Sequence, residues 1–190
     1  MKKQSPTFDL TVINPDIIIG PMIHPLSGPE SINETNQFAI NSFLDGTHKQ
    51  IEGVKFPFYH FVCALQAPAH DKRLTDNQVD VRDVARAHVD SLTNAAASNK
   101  RILMVAGLIT PQLVVNIIRK NFPQLRNQVP EGNPVQILPP GIHPTGWDTR
   151  VSVDVLSKGT SSSQWEYIGL ENSVVDTVQC ILKAGLLKVG

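Results

Sequence analysis

The stretch that most constrains the fold is Val79–Leu92, VDVRDVARAHVDSL. It reads as the end of a short strand running directly into an amphipathic helix. Asp80 stands where a carboxylate can cap the first backbone amides, and Asp83 adds negative charge at the positive end of the helix dipole. Val81, Val84, Ala85, His88 and Leu92 recur on one face at helical spacing, with Arg82, Arg86 and Asp90 pointing mostly elsewhere. This spacing predicts a helix packed by its apolar side and solvated on its charged side.

The rest of the chain alternates strand-like and helix-like segments. Phe8–Ile13 is rich in β-branched and aromatic residues and should stop at Asn14-Pro15. Asp16–Ile19 continues apolar up to the turn signal Gly20-Pro21. Strands this apolar belong in a parallel sheet buried between helix layers. Asn33–Leu44 has helical spacing and ends at Asp45-Gly46. Phe56–Phe61, FPFYHF, reads as a strand or a pocket wall. Downstream, Arg101–Ala106 is another buried-type strand, and Thr110-Pro111 opens a helix reaching Pro123. Val129–Thr149 is proline- and glycine-rich loop, Val151–Leu156 an extended segment, and Glu171–Leu187 a final helix. The interleaving makes the fold class α/β.

Composition narrows the function. Seventeen basic residues balance 17 acidic ones, which leaves no electrostatic footprint for nucleic acid or an anionic membrane. No stretch approaches the ~20 apolar residues of a membrane span, and MKKQSPTF lacks the apolar core of a secretory signal. Two cysteines, Cys63 and Cys180, are too few for a disulfide framework, so a cytoplasmic location is expected. The six histidines show no metal-binding spacing, and no G-x-S-x-G nucleophile motif occurs.

V-D-V-R-D-V-A-R-A-H resembles a stretch late in the extended short-chain dehydrogenase/reductases, in the branch of dihydroflavonol reductases and fungal carbonyl or methylglyoxal reductases. FDLTVINPDIIIGP, Phe8–Pro21, is similar to the strand and loop that follow the catalytic Tyr/Lys in that family. The two matches occur in the family's order. The resemblance implies that residues 1–190 correspond to the C-terminal portion of a doubly wound Rossmann-type domain. With it goes the family's small substrate-side α/β region, the N-terminal half being missing.

It further implies NADP as cofactor and a small-molecule aldehyde or ketone as substrate. By position in the family, Pro15, Ile17 and Ile18 would touch the nicotinamide carboxamide, and Thr35 the phosphate or ribose. Phe56, Phe58 and Tyr59 would line the substrate pocket. Each has a plainer reading: core packing for the isoleucines, a helix cap for Thr35, aromatic packing for the last three.

Two parts of the family's machinery do not occur. No two of the twelve glycines stand three apart, so the G-x-x-G-x-x-G turn that lets backbone amides approach a pyrophosphate is not encoded. Tyr59 and Tyr167 are followed four residues later by Cys63 and Glu171, so Y-x-x-x-K is not encoded either. The expectation is a chain that begins just after the family's active-site helix, carries no catalytic residue and does not turn over alone. The alternative is a non-catalytic fragment, or a module that pairs with another reductase subunit through an open sheet edge.

Between Phe61 and Val79 the resemblance breaks, and the 17 residues 62–78, VCALQAPAHDKRLTDNQ, intervene. Val62-Cys63 permits a donor splice sequence, Leu74-Thr75 a branch point and Gln78 an acceptor. A translated, retained intron is one expectation; a surface loop is the other, since closure entropy grows slowly with length.

Overall fold

Val12–Pro15 (β1) and Ile17–Ile19 (β2) are two short strands in line, separated only by Asp16. This is a computed structural model, and it describes residues 8–51, 75–138, 140–144, 146–159 and 164–187. β1 pairs in parallel with Arg101–Met104 (β4), Ile13 opposite Ile102. β2 pairs in parallel with Asn77–Asp80 (β3), Ile18 opposite Val79. Gly107–Leu108 (β5) then closes antiparallel on β3.

The first strand starts later than the residue pattern suggests. Phe8 and Leu10 are exposed, and the Leu10 amide reaches only the Asn99 side chain. Val12 is the first residue to donate to the neighbouring strand side, to the Lys100 carbonyl at 2.9 Å. Asn14-Pro15 does not end β1, because proline is tolerated where its missing N–H would face away from the partner.

Successive side chains of the strands enter opposite layers, as extended backbone requires. Ile17 and Ile19 join one core with Ile40, Phe43, Val115, Ile118 and Val178. Those partners come from a helical run over 34–44 (α1), from Pro111–Asn121 (α2) and from Leu170–Lys183 (α3). The middle of α1, Gln37–Asn41, is a π turn between Glu34–Asn36 and Ser42–Leu44. Ile13, Ile18 and Val79 face a second core with Ile102, Met104, Leu156 and Trp165. That side is covered by Val81–Ser91 (α4) and Arg150–Gly159 (α5). Each fully buried aliphatic side chain stabilises the fold by about 1.5–3 kcal/mol, so each face of the sheet has a core of its own.

Two readings of the sequence are corrected here. Val151–Leu156 is not extended but lies in helix α5. Ser152, Val155 and Leu156 are its buried residues, an i, i+3, i+4 set, and the Ser152 hydroxyl accepts the Leu103 amide at 2.8 Å. Helix α4 is also rotated from its expected face. Its buried residues are Asp83, Val84 and Ala87, while Leu92 is 85% exposed and Val81 38% exposed. Arg86 is not simply solvated: it stacks 3.6 Å over the Trp165 ring and donates to the Glu166 carbonyl and to Asp83.

Candidate functional site

The carboxyl ends of β2 and β3 open onto a groove of about 830 Å³. Open α/β sheets place ligands at such strand ends. One wall runs from Pro15 through the isoleucines of β2 to Gly20, continuing into Met22 and Ile23. Asn33, Thr35 and Asn36, from the start of α1, close one end, and Val81, Arg82 and Ala85 of α4 form the opposite wall. Gly20 lets the walls approach. Its φ is +137°, and a Cβ there would meet Val81 Cγ1 at 2.8 Å. Buried Asn36 fixes it from the other side, donating to the Gly20 carbonyl at 2.7 Å and accepting its amide at 3.2 Å.

The α4 wall is held by a buried carboxylate. Asp80 Oδ1 accepts the Arg82 amide at 2.8 Å, which caps α4, and Arg82 Nε at 2.9 Å. Its Oδ2 accepts Arg82 Nη2 at 2.9 Å and the Ser173 hydroxyl of α3 at 2.5 Å. Burial alone would push the Asp80 carboxyl up, but the bonds from Arg82 and Ser173 outweigh it and hold it below the usual carboxylate range. Arg82 spans to α3, with Nη1 donating to Asp176 at 2.7 Å, and its own pKa is raised, first by Asp80. Asp83 goes the other way. Burial pushes its carboxyl up despite the Ile168 amide at 2.7 Å and the nearby Arg86.

The four positions named for cofactor contact, Pro15, Ile17, Ile18 and Thr35, all border this groove. Thr35 does not act as a helix cap, because Asn33 precedes α1 at the cap position. Its hydroxyl donates to the Ile18 carbonyl at 2.5 Å and accepts from Asn33 Nδ2 at 2.8 Å, tying α1 to β2. Phe56, Phe58 and Tyr59 lie outside the described residues, as do residues 62–74 of the 62–78 segment. Asn77 and Gln78 of that segment are buried in β3.

Sequence reasoning did not find Val81, Ala85 and Arg82 as groove residues. The only signal was that α4 starts directly at a strand end. Tyr167 is a weaker acid than a free tyrosine: burial, with Asp83 nearby, pushes its hydroxyl up to about 12, and that hydroxyl lies 3.8 Å from Met104 Sδ. Among the described residues no group of His, Cys, Asp and Glu could hold a metal, and no helix is long and apolar enough to cross a membrane.

A parallel sheet with helices on both faces and a groove at its strand ends defines a Rossmann-type α/β unit. Comparison with solved structures gives the same fold. Gre2 of Candida albicans in complex with NADPH superposes with a TM-score of 0.63 at 30% identity, over 96% of this chain and 46% of that one. The yeast methylglyoxal/isovaleraldehyde reductase with NADPH has a TM-score of 0.65 at 22% identity, covering 94% and 48% of the two chains, a likeness of fold alone.

Among curated proteins, an uncharacterised oxidoreductase of Schizosaccharomyces pombe is 34% identical over 137 residues, 72% of this chain and 34% of its own length. The NADPH-dependent methylglyoxal reductase of Saccharomyces cerevisiae is 26% identical over 132 residues, 70% of this chain and 33% of its own. No family model matches. The chain is a relative of the extended short-chain dehydrogenase/reductases and matches the C-terminal part of their chain. It spans less than half the length of these relatives.

Proposed function

We propose that these residues form the nicotinamide- and substrate-facing back half of an NADP(H)-dependent reductase of small aldehydes or ketones. The observation that carries this reading is the single groove that gathers Pro15, Ile17, Ile18 and Thr35 at the strand ends. Its volume falls within the range of ligand pockets, about 300–1,000 Å³. When bound, the dihydronicotinamide supplies a hydride to the carbonyl carbon of the substrate. The residues present fit the nicotinamide end of such a cofactor. Pro15 and half-buried Ile18 offer an apolar bed beside the buried Ile17, and Thr35 holds the Ile18 carbonyl in place. Across the groove the apolar side chains of Val81 and Ala85 face this bed.

The residues do not fit the pyrophosphate, which needs closely spaced glycines at a helix N-terminus, and none of the twelve glycines is so placed. Nor does the chain offer a tyrosine with a lysine four residues on to act as proton donor. The chain by itself is therefore expected to bind NADPH no tighter than millimolar and to oxidise none of it with methylglyoxal or isovaleraldehyde. A fluorescence titration and an absorbance assay measure both. Micromolar binding or turnover would contradict the reading. Methyl NMR provides the positive test: saturating NADPH should shift Ile17 and Ile18, and unmoved signals would remove the bed.

Residues 62–78 are proposed as an insertion foreign to the family. Sequencing of mature transcripts should find most copies without the corresponding nucleotides. A message that keeps them would make the segment a native part of the fold that leads into β3.

A further inference from the structure

The start of α1 and the exit of β2 are joined by a hydrogen-bond circuit in which every proton can be placed. Gly20 orients its first member. The Gly20 amide needs an oxygen and the Gly20 carbonyl needs an N–H. Buried Asn36 therefore turns Oδ1 to the amide, at 3.2 Å, and Nδ2 to the carbonyl, at 2.7 Å. The second hydrogen of Asn36 Nδ2 goes to Asn33 Oδ1 at 2.7 Å. That contact orients Asn33 in turn, so its Nδ2 is the group that faces Thr35 Oγ1, at 2.8 Å. Thr35 must accept there, and its only proton goes to the Ile18 carbonyl.

The count leaves one hydrogen over. Asn36 has used both of its N–H groups and Thr35 its O–H. Among the described residues Asn33 Nδ2 donates to Thr35 alone, so one of its two hydrogens has no acceptor. Asn33 is exposed and lines the groove.

Helix stability does not explain this use of Asn33. It stands at the cap position of α1, where an asparagine oxygen ordinarily accepts a backbone amide of the first turn. No such bond forms, and the oxygen serves Asn36 instead. Thr35 keeps a lone pair but no proton, so it cannot serve an ionised phosphate oxygen, which only accepts.

We propose that Asn33 is the polar contact of the groove to its cofactor. The spare N–H of Asn33 Nδ2 donates to a phosphate or ribose oxygen of the nicotinamide nucleotide. Thr35 is a positioning residue that holds the Ile18 carbonyl and touches no cofactor atom. The inference rests on the reading of the groove as a nicotinamide site. Asn36 and Thr35 hold the Asn33 carboxamide from both ends, so the donor is oriented before a ligand arrives. Such a donor gives up little rotamer freedom on binding.

Side-chain amide NMR of the full chain tests this. In the free chain the two Asn33 Nδ2 hydrogens should differ, the one on Thr35 exchanging with water more slowly. Saturating NADPH should move the faster-exchanging N–H downfield, together with the methyls of Ile17 and Ile18. Reduced nicotinamide riboside, which lacks the phosphate, separates the two oxygens. A shift that persists with it assigns the ribose, and one that disappears assigns the phosphate. Asn33→Ala should weaken NADPH binding about tenfold and Thr35→Val less than about threefold, with the amide protection of α2 and α3 unchanged in both. An Asn33 N–H that stays in place while the isoleucine methyls move overturns the donor and leaves the bed standing. Methyls that stay while the Asn33 N–H moves overturn the bed alone. A larger loss from Thr35→Val than from Asn33→Ala, or two Asn33 hydrogens that exchange alike, also overturns the proposal.

Discussion

Asp80→Asn should lower the unfolding free energy by about 2–4 kcal/mol, because it removes the charge from a buried acceptor that four donors converge on. An asparagine there turns an NH2 toward Arg82 or Ser173, donor against donor. The damage should spread, since Asp80 joins β3, the start of α4 and helix α3. Asp83→Asn should stay within about 1 kcal/mol of the parent. Its carboxylate is charged against the preference of its surroundings, and an amide oxygen can still accept the Ile168 N–H.

The two aspartates also separate by pH. Asp80 holds its proton less tightly folded than unfolded. Its contribution is complete above the ordinary carboxylate range near pH 4 and is lost as pH falls through its lower folded value. Asp83 has the opposite sign, costing stability above its raised folded value, a cost that acid removes. Urea unfolding from pH 7 to pH 3 should therefore show the Asp80→Asn difference shrinking toward the acid end. A difference that stays constant across that range would mean the charge of Asp80 is not what stabilises the junction.

Leu156→Ala should cost about 2–5 kcal/mol, the usual effect of emptying a fully buried leucine site. Leu156 lies wholly inside the second core, with Val79, Ile102 and Met104 among its members. On the same helix Val151 is largely exposed, and Val151→Ser should change stability by less than about 0.5 kcal/mol. Chemical denaturation of the pair measures both. Equal losses at the two positions would mean that α5 does not present the face described.

The contrast between these helices shows what a sequence can carry. The caps at Asp80 and Thr110 were legible because a short acceptor next to an apolar period is a local signal, and both side chains bond their own helix. The last helix was legible because Val174, Val178 and Ile181 repeat at helical spacing. Helix α5 was not. V-S-V-D-V alternates with period two, and only the placement of Val155 and Leu156 under β4, with Ser152 serving the Leu103 amide, makes it helical.

The face of α4 was misread for a related reason. Hydropathy ranks Asp83 as a surface residue, yet its partner Ile168 lies 85 positions away, and the Ser173 that completes Asp80 lies 93 away. The groove was half legible. The loop after Asn14-Pro15 was marked by its resemblance to a family, whereas its facing wall, Val81 and Ala85, comes from the far end of another strand.

Pro15 on the outer rim of β1 has a last consequence, for colloidal behaviour. Endless stacking of like chains, as in fibrils, needs a donor and an acceptor at every second residue on both rims. Here every second residue offers Ile13, then a ring with no hydrogen to give. That imino acid thus acts as a gatekeeper against runaway accretion.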